Sequence, residues 1–300
     1  MKADIQDQSD YFENQLNYGL NPEFDPRDIV GDDYSNTQER NYGNNEVIGP
    51  DATHGTHVSG IVGALRDNDL GMNGIAQDVK IMVLRTVPDG DERDKDVANA
   101  IRYAVDNGAR IVNMSFGKDF SPEKSVVDEA VQYAEKKGVL LIHAAGNDGE
   151  NIDEAPNYPT RFYLNKKEAS NWIEVGASSW GNDGATFVAS FSNYGKRKVD
   201  IFAPGVDVYS TVPGQKYKNE NGTSMAAPVV SGVAALLMSY FPELTYDKVK
   251  DIILKSARKY SQSVKKPGED SVETSFEDLS STGGVVNAYE AVNMALDITK

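Results

Sequence analysis

Two hydrophobic rhythms alternate along the chain from about residue 56 onward. The stretch HVSGIVGAL is apolar at helical spacing, and the short run VKIMVL that follows has the length of a strand. DVANAIRYAVDNG places Val97, Ala100, Ile101, Ala104 and Val105 on one helical face, with Gly108 as the stop. ARIVNMSFG predicts the next strand. Ser121-Pro122 opens a helix whose stripe is Val127, Ala130, Val131 and Ala134, closed by Gly138. VLLIHAAG, WIEVGA and VDIFAPG predict further strands, and helices are expected over 224–240, from Thr245 and from Asn287. Strands that are apolar at every position, separated by amphipathic helices, predict a mainly parallel sheet covered on both faces. The fold expected is three-layer α/β/α. Residues 1–50 differ: they are polar and rich in Asn and Asp, with DIQDQSDYFENQL as a possible surface helix. SQSVKKPGEDSVETSFED is expected to be a charged loop.

Composition narrows the function. The chain has 300 residues, 39% of them hydrophobic and 25% charged, values of a globular protein with a substantial core. A net charge of −16 argues against nucleic acid, whose phosphates demand an excess of Lys and Arg. No apolar run approaches the length of a membrane span. The opening residues lack the pattern of a secretory leader. With no cysteine, disulfides, thiolate metal sites and a Cys nucleophile are excluded.

In α/β sheets reactive groups collect at the C-terminal ends of strands and the adjoining helix N-termini. Three stretches fall there. In NGTSMAAP, Ser224 stands at a helix mouth, where free N–H groups favour negative charge. As an alternative, the same octet reads as a Ser/Thr cap on a tightly packed helix. In DATHGTHVSG, His54 precedes a glycine at a helix start and projects from the sheet's end, whereas His57 reads as structural. In HAAGNDG, Asn147 follows a strand and is either a turn residue or an amide aimed at a developing oxyanion. His143 reads as strand packing.

HGTHVSG, AAGN and NGTSMAAP, in this order and spacing, resemble the blocks of the subtilisin-like serine peptidases, or subtilases. Shorter blocks agree: GIA at 74–76, VNMSFG at 112–117, YP at 158–159, FAPG at 202–205 and GGVVNAYEAV at 283–292. The resemblance runs from about Gly19 to the C-terminus, leaving 1–18 as a polar N-terminal segment. It implies a serine endopeptidase with Ser224 as nucleophile, His54 as general base and Asn147 as oxyanion donor beside the Ser224 N–H. It further implies that Ser115, Phe116 and Gly117 pair with substrate backbone, and that Ala144, Ala145 and Gly146 form one pocket wall. A cis Tyr158–Pro159 bond is implied too. So is a structural calcium ion held by the Asn68 side chain and the carbonyls of Arg66, Leu70 and Met72, with Glu23 near it. A plain Asn/Asp/Gly turn is the alternative there. No cofactor is needed for the chemistry.

The family's third triad member, an Asp on a strand upstream of the His, has no matching block. By the register of NPEF it would fall near Asn14, in a segment without strand character. Asp32, Asp33 and Asp51 align with loops. The expectation is therefore an incomplete domain with low activity by itself, its acid-bearing strand supplied by an upstream segment of a longer, exported or envelope-bound precursor. A sheet gap should lie beside His54, with no carboxylate on its Nδ1. The alternative is a pseudoprotease, a peptide-binding module that keeps the cleft. An α/β-hydrolase is disfavoured, since no G-x-S-x-G elbow occurs.

Overall fold

A computed structural model describes residues 9, 12–13, 15–19, 21, 23–88, 90, 92–181 and 183–300. The near-continuous apolar runs become the sheet. Strands β1 (Ile111–Met114), β2 (Leu140–Ala144), β3 (Trp172–Ser178) and β4 (Ile201–Pro204) lie side by side in chain order, all parallel. Beyond β4 come β10 (Gly284–Val285), parallel to it, and the antiparallel edge strand β7 (Arg258–Lys259). Residue pairs such as Ile111 with Leu140 and Val175 with Ile201 set the register.

Both faces of β2, β3 and most of β4 are buried, which is why these strands do not alternate. Leu140, Ile142, Ile173, Val175 and Ile201 face one core with helix α5 (Thr223–Tyr240), α6 (Tyr246–Lys255) and α7 (Ala288–Ile298). Leu141, Met114 and Trp172 face the other, against α3 (Asp94–Asp106) and α4 (Lys124–Lys136). This is the three-layer α/β/α arrangement read from the pattern. Asn287 caps α7 through its Oδ1, which accepts from the Glu290 N–H. Helix α5 is long and apolar enough to cross a membrane, yet it is the core helix of the domain, 67% buried within it.

The structure departs from the pattern at VKIMVL. Val79–Val87 forms no strand, and none of its backbone groups is hydrogen-bonded to another backbone group among the described residues. Ile81, Met82 and Val83 are 45, 41 and 48% exposed. A strand-like sequence adopts strand structure only beside a partner, and among the described residues there is none. Among the same residues strand β1 is paired on one side only, with β2. A second correction concerns the charged stretch after Tyr260, which is a hairpin of β8 (Ser263–Lys266) and β9 (Glu269–Ser275). The polar strands β5 (Val208–Val212) and β6 (Lys216–Glu220) form another hairpin, against which α2 (Thr53–Gly63) packs. Most of the N-terminal helix expected over 4–16 lies outside the described residues; Ser9, Phe12 and Glu13 are helical.

Residues 27–42 are tied to α3 by a buried ionic cluster. Lys95, fully buried, reaches Asp32, the Asp33 carbonyl at 2.7 Å and Glu39 at 3.2 Å. Arg27 grips Asp96 with both guanidinium nitrogens, and the Tyr42 hydroxyl donates to the same carboxylate at 2.6 Å. Pairing of this kind offsets the cost of removing charges from water.

Candidate active site

Three segments meet where β1 and β2 end and α5 begins. The first puzzle is Pro228 inside α5. A proline has no N–H, so the carbonyl four residues earlier, that of Ser224, loses its helical donor. The Ser115 hydroxyl takes that place, donating to the Ser224 carbonyl at 2.9 Å. In return the Ser224 Oγ donates to the Ser115 carbonyl at 3.2 Å. Ser224 is thus moored by both its ends to the segment following β1.

Asn147 follows β2 through Gly146, whose φ of +99° needs a glycine. Its Oδ1 accepts from the Thr223 N–H at 2.8 Å and from the Thr223 hydroxyl at 2.9 Å. Asn147, not a residue of the octet, therefore caps α5. With the oxygen tied, Nδ2 stays at the helix mouth, 3.7 Å from where a Cβ on Gly222 would stand, and makes no hydrogen bond among the described residues; neither does the Ser224 N–H. Two uncommitted donors beside a serine hydroxyl are the parts of an oxyanion hole. Thr223 was not singled out by the sequence, although it sits in the same octet. Its role depends on a partner 76 residues away in the chain.

His54 sits in the first turn of α2 with an exposed ring. Loss of solvation by the surrounding protein lowers its pKa from 6.5, and the neighbouring His57 adds to the effect; Glu220 and Asp51 oppose it. No carboxylate is bonded to His54 among the described residues, and Ser224 Oγ is engaged with Ser115 in place of the imidazole. The aspartates that align with loops are committed elsewhere. Asp32 pairs with Lys95 and Arg27, Asp33 accepts from Ser35, and Asp51 accepts from the Thr53 N–H at 2.8 Å. Asn14 lies outside the described residues. His57 is structural: fully buried, it meets the Lys218 carbonyl on β6 at 3.0 Å.

The segments 115–117 and 144–146 are brought together. Asn157 donates to the Ala145 carbonyl at 3.1 Å, and a Cβ on Gly117 would lie 3.0 Å from the Asn157 side-chain oxygen. Tyr158–Pro159 is cis, as the resemblance implies. His143, read as strand packing, is buried but bonded at both nitrogens, to Glu174 and to the Phe116 carbonyl. The one acidic residue within the apolar run WIEVGA was the available signal for this network.

The loop Asp67–Asn73 encloses a small hollow. Asn68 Oδ1 accepts from the Leu70 N–H at 3.1 Å, an ordinary Asx turn, and Asn73 Oδ1 accepts from the Asp67 N–H at 3.3 Å. The carbonyls of Arg66, Leu70 and Met72 take no backbone hydrogen bond among the described residues. That leaves an oxygen-only donor set of the kind calcium accepts. Among the described residues no cluster of three or more His, Cys, Asp or Glu could hold a metal, and Glu23 is an exposed turn residue.

Known proteins resemble this chain along most of its length. The model of the subtilase family (peptidase S8) matches residues 9–279. Thermitase from Thermoactinomyces vulgaris is 42% identical over 187 residues, 62% of this chain and 61% of that protein. A thermophilic serine proteinase from Bacillus sp. (strain AK1) is 41% identical over 62% of this chain and 42% of its own length. Subtilisin BL from Lederbergia lenta is 36% identical over 68% of this chain and 70% of its length. The chain therefore spans about two-fifths to seven-tenths of these curated relatives. Among solved structures, a protease of Pseudoalteromonas arctica superposes with a TM-score of 0.64 at 29% identity, covering 81% of this chain and 70% of that one. Sphericase gives 0.63 at 30% identity, with 74% of each chain covered.

Proposed function

The chain belongs to the subtilase family, and from that premise we propose that it is the larger part of a serine endopeptidase. The Ser224 Oγ attacks the scissile carbonyl, and His54 accepts its proton and passes it to the departing amine. Water then repeats the cycle against the acyl-enzyme, releasing the acid product and the free serine. Asn147 Nδ2 and the Ser224 N–H hold the negative oxygen in both steps. The observation that carries this reading is the pair of uncommitted donors, one fixed by Thr223, at the mouth of α5. A fluorophosphonate should label Ser224 alone; labelling that persists in Ser224→Ala would refute the assignment.

The missing acid is supplied, in this proposal, by an apolar strand outside the described residues, an upstream segment of the same protein. It pairs with the free side of β1 and with Val79–Val87, and its carboxylate reaches His54 Nδ1. The exposed Ile81, Met82 and Val83 support it, because together they are an apolar surface awaiting cover. Action outside the cytoplasm, as part of a longer precursor, goes with it and is checked by cell fractionation. A second reading, a peptide-binding pseudoprotease, draws on the Ser224–Ser115 bond that replaces the contact with His54. Polypeptides are the ligands in either case. We also propose that calcium occupies the 66–72 carbonyls and Asn68 as a structural ion; equal melting temperatures with calcium and with chelator would dismiss it.

A further inference from the structure

Strand β3 is apolar apart from its last residue, Ser178, and Glu174, which is 4% exposed and therefore needs a full set of partners. It has them. His143 Nδ1 lies 2.8 Å from Oε1, Asn157 Nδ2 donates to Oε1 at 3.3 Å, and Trp172 Nε1 donates to Oε2 at 2.7 Å. The Glu174 backbone N–H donates to Asp200 Oδ2 at 2.8 Å, and Arg161 donates to Oδ1 of the same Asp200 at 2.9 Å. Nothing in the chemistry assigned to Ser224, His54 and Asn147 uses this cluster.

Two of the side chains bonded to Glu174 have a second task. A carbonyl only accepts, so the 2.8 Å contact of His143 Nε2 with the Phe116 carbonyl places a proton on Nε2. Asn157 Nδ2, in turn, donates its other proton to the Ala145 carbonyl at 3.1 Å. Phe116 belongs to the 115–117 segment and Ala145 to the 144–146 segment. One buried carboxylate thus fixes two side chains, and each of these holds the backbone of one side of the same groove. The spacing is tight: at Gly117 an added Cβ would stand 3.0 Å from Asn157 Oδ1 and 3.8 Å from His143 Nε2.

We infer that His143, with Glu174 as its anchor, is a positioning residue that sets the distance between the two backbone walls of the substrate cleft. The inference rests on the reading of 115–117 and 144–146 as those walls. His143 touches no reacting atom; it acts through the Phe116 carbonyl. Its removal frees that carbonyl and leaves Glu174 short of a partner, so the groove relaxes around Phe116, while the bonds of Ser115 to Ser224 and of Asn147 to Thr223 at the helix mouth are made without His143.

The test compares the complete protein with its His143→Leu, His143→Gln and Glu174→Gln variants. For an oligopeptide substrate, His143→Leu should raise KM about ten-fold, the equivalent of one lost hydrogen bond, with kcat within about two-fold. Labelling of Ser224 by a small fluorophosphonate, which does not span the groove, should keep its rate. His143→Gln, which retains a donor, should recover part of the loss. An unchanged KM in a variant with a normal melting transition overturns the inference. If His143→Leu does not fold, Glu174→Gln is read in the same way. If Ser224 of the unsubstituted protein takes no label, the peptidase reading is what fails. The inference is then decided by calorimetric titration of an uncleaved peptide against Ser224→Ala, with and without His143→Leu. Ten-fold weaker binding sustains it, and equal affinity ends it.

Discussion

The two sides of the catalytic groove are built to different degrees. On the Ser224 side the acceptors are met and two donors are left open: the carbonyl stranded by Pro228 takes the Ser115 hydroxyl, and the Asn147 oxygen takes both donors of Thr223. On the His54 side the imidazole has no carboxylate among the described residues, and the adjoining Val79–Val87 lies extended and bare. The difference teaches that the proposed nucleophile and oxyanion donors sit in one packed unit, β1, β2 and α5, whereas the proposed base would depend on an element outside the described residues.

The sharpest way to break this comparison is to finish the unfinished side. Adding a strand that carries the acid should raise kcat by about 10⁴, since loss of the corresponding Asp alone costs subtilisin about 3 × 10⁴. The pH profile should move with it. The base works when neutral, and desolvation holds the His54 pKa below 6.5, so the acid limb of any residual activity should lie below 6.5. A carboxylate on Nδ1 favours the imidazolium and should shift that limb upward. Rapid cleavage by residues 1–300 alone, unaltered by the strand, would mean that the acid lies within residues 1–53.

The next effect belongs to the finished side. Asn147→Leu should lower kcat by about 10² to 10³ in the complemented protein, the cost of one oxyanion donor in subtilisin; near-normal turnover would remove Asn147 from the chemistry. Smaller again is Thr223→Val. It keeps the shape and the backbone N–H but loses the hydroxyl that fixes Asn147, and kcat should fall about ten-fold with KM unchanged. The smallest effect is on the bare segment. Met82→Lys should reduce self-association of the isolated chain, seen by light scattering, while changing stability by no more than about 0.5 kcal/mol. Undiminished association would place the sticky surface elsewhere.

Much of this was legible in one sequence. The order of strands β1 to β4 and the helices between them follow from the 3.6-residue stripes and the unbroken apolar runs, because local periodicity and burial agree there. VKIMVL failed as a strand for the opposite reason: its pattern is right, but strand structure belongs to pairs, and the pair is not in the described chain. Ser224, His54 and Asn147 stand out because each follows a glycine-marked strand end or opens a helix. Thr223, His143 and Glu174 do not, since their roles lie in contacts with distant segments. The excursion after Tyr260 was misread because its charged residues alternate with only a few apolar ones, of which Val264 and Phe276 enter the core.

Pro228 has a consequence for inheritance. With proline at 228 the Ser115 hydroxyl is, among the described residues, the one side-chain donor on the Ser224 carbonyl, so Ser115→Ala would strand a polar atom at about 1 kcal/mol. With alanine at 228 the helix itself would supply an N–H, and the hydroxyl would become optional. The two substitutions should therefore fail to add in a thermodynamic cycle, although they lie far apart in the chain. Drift at one site is licensed by the state of the other, so a lineage that keeps the proline is bound to keep a donor at 115.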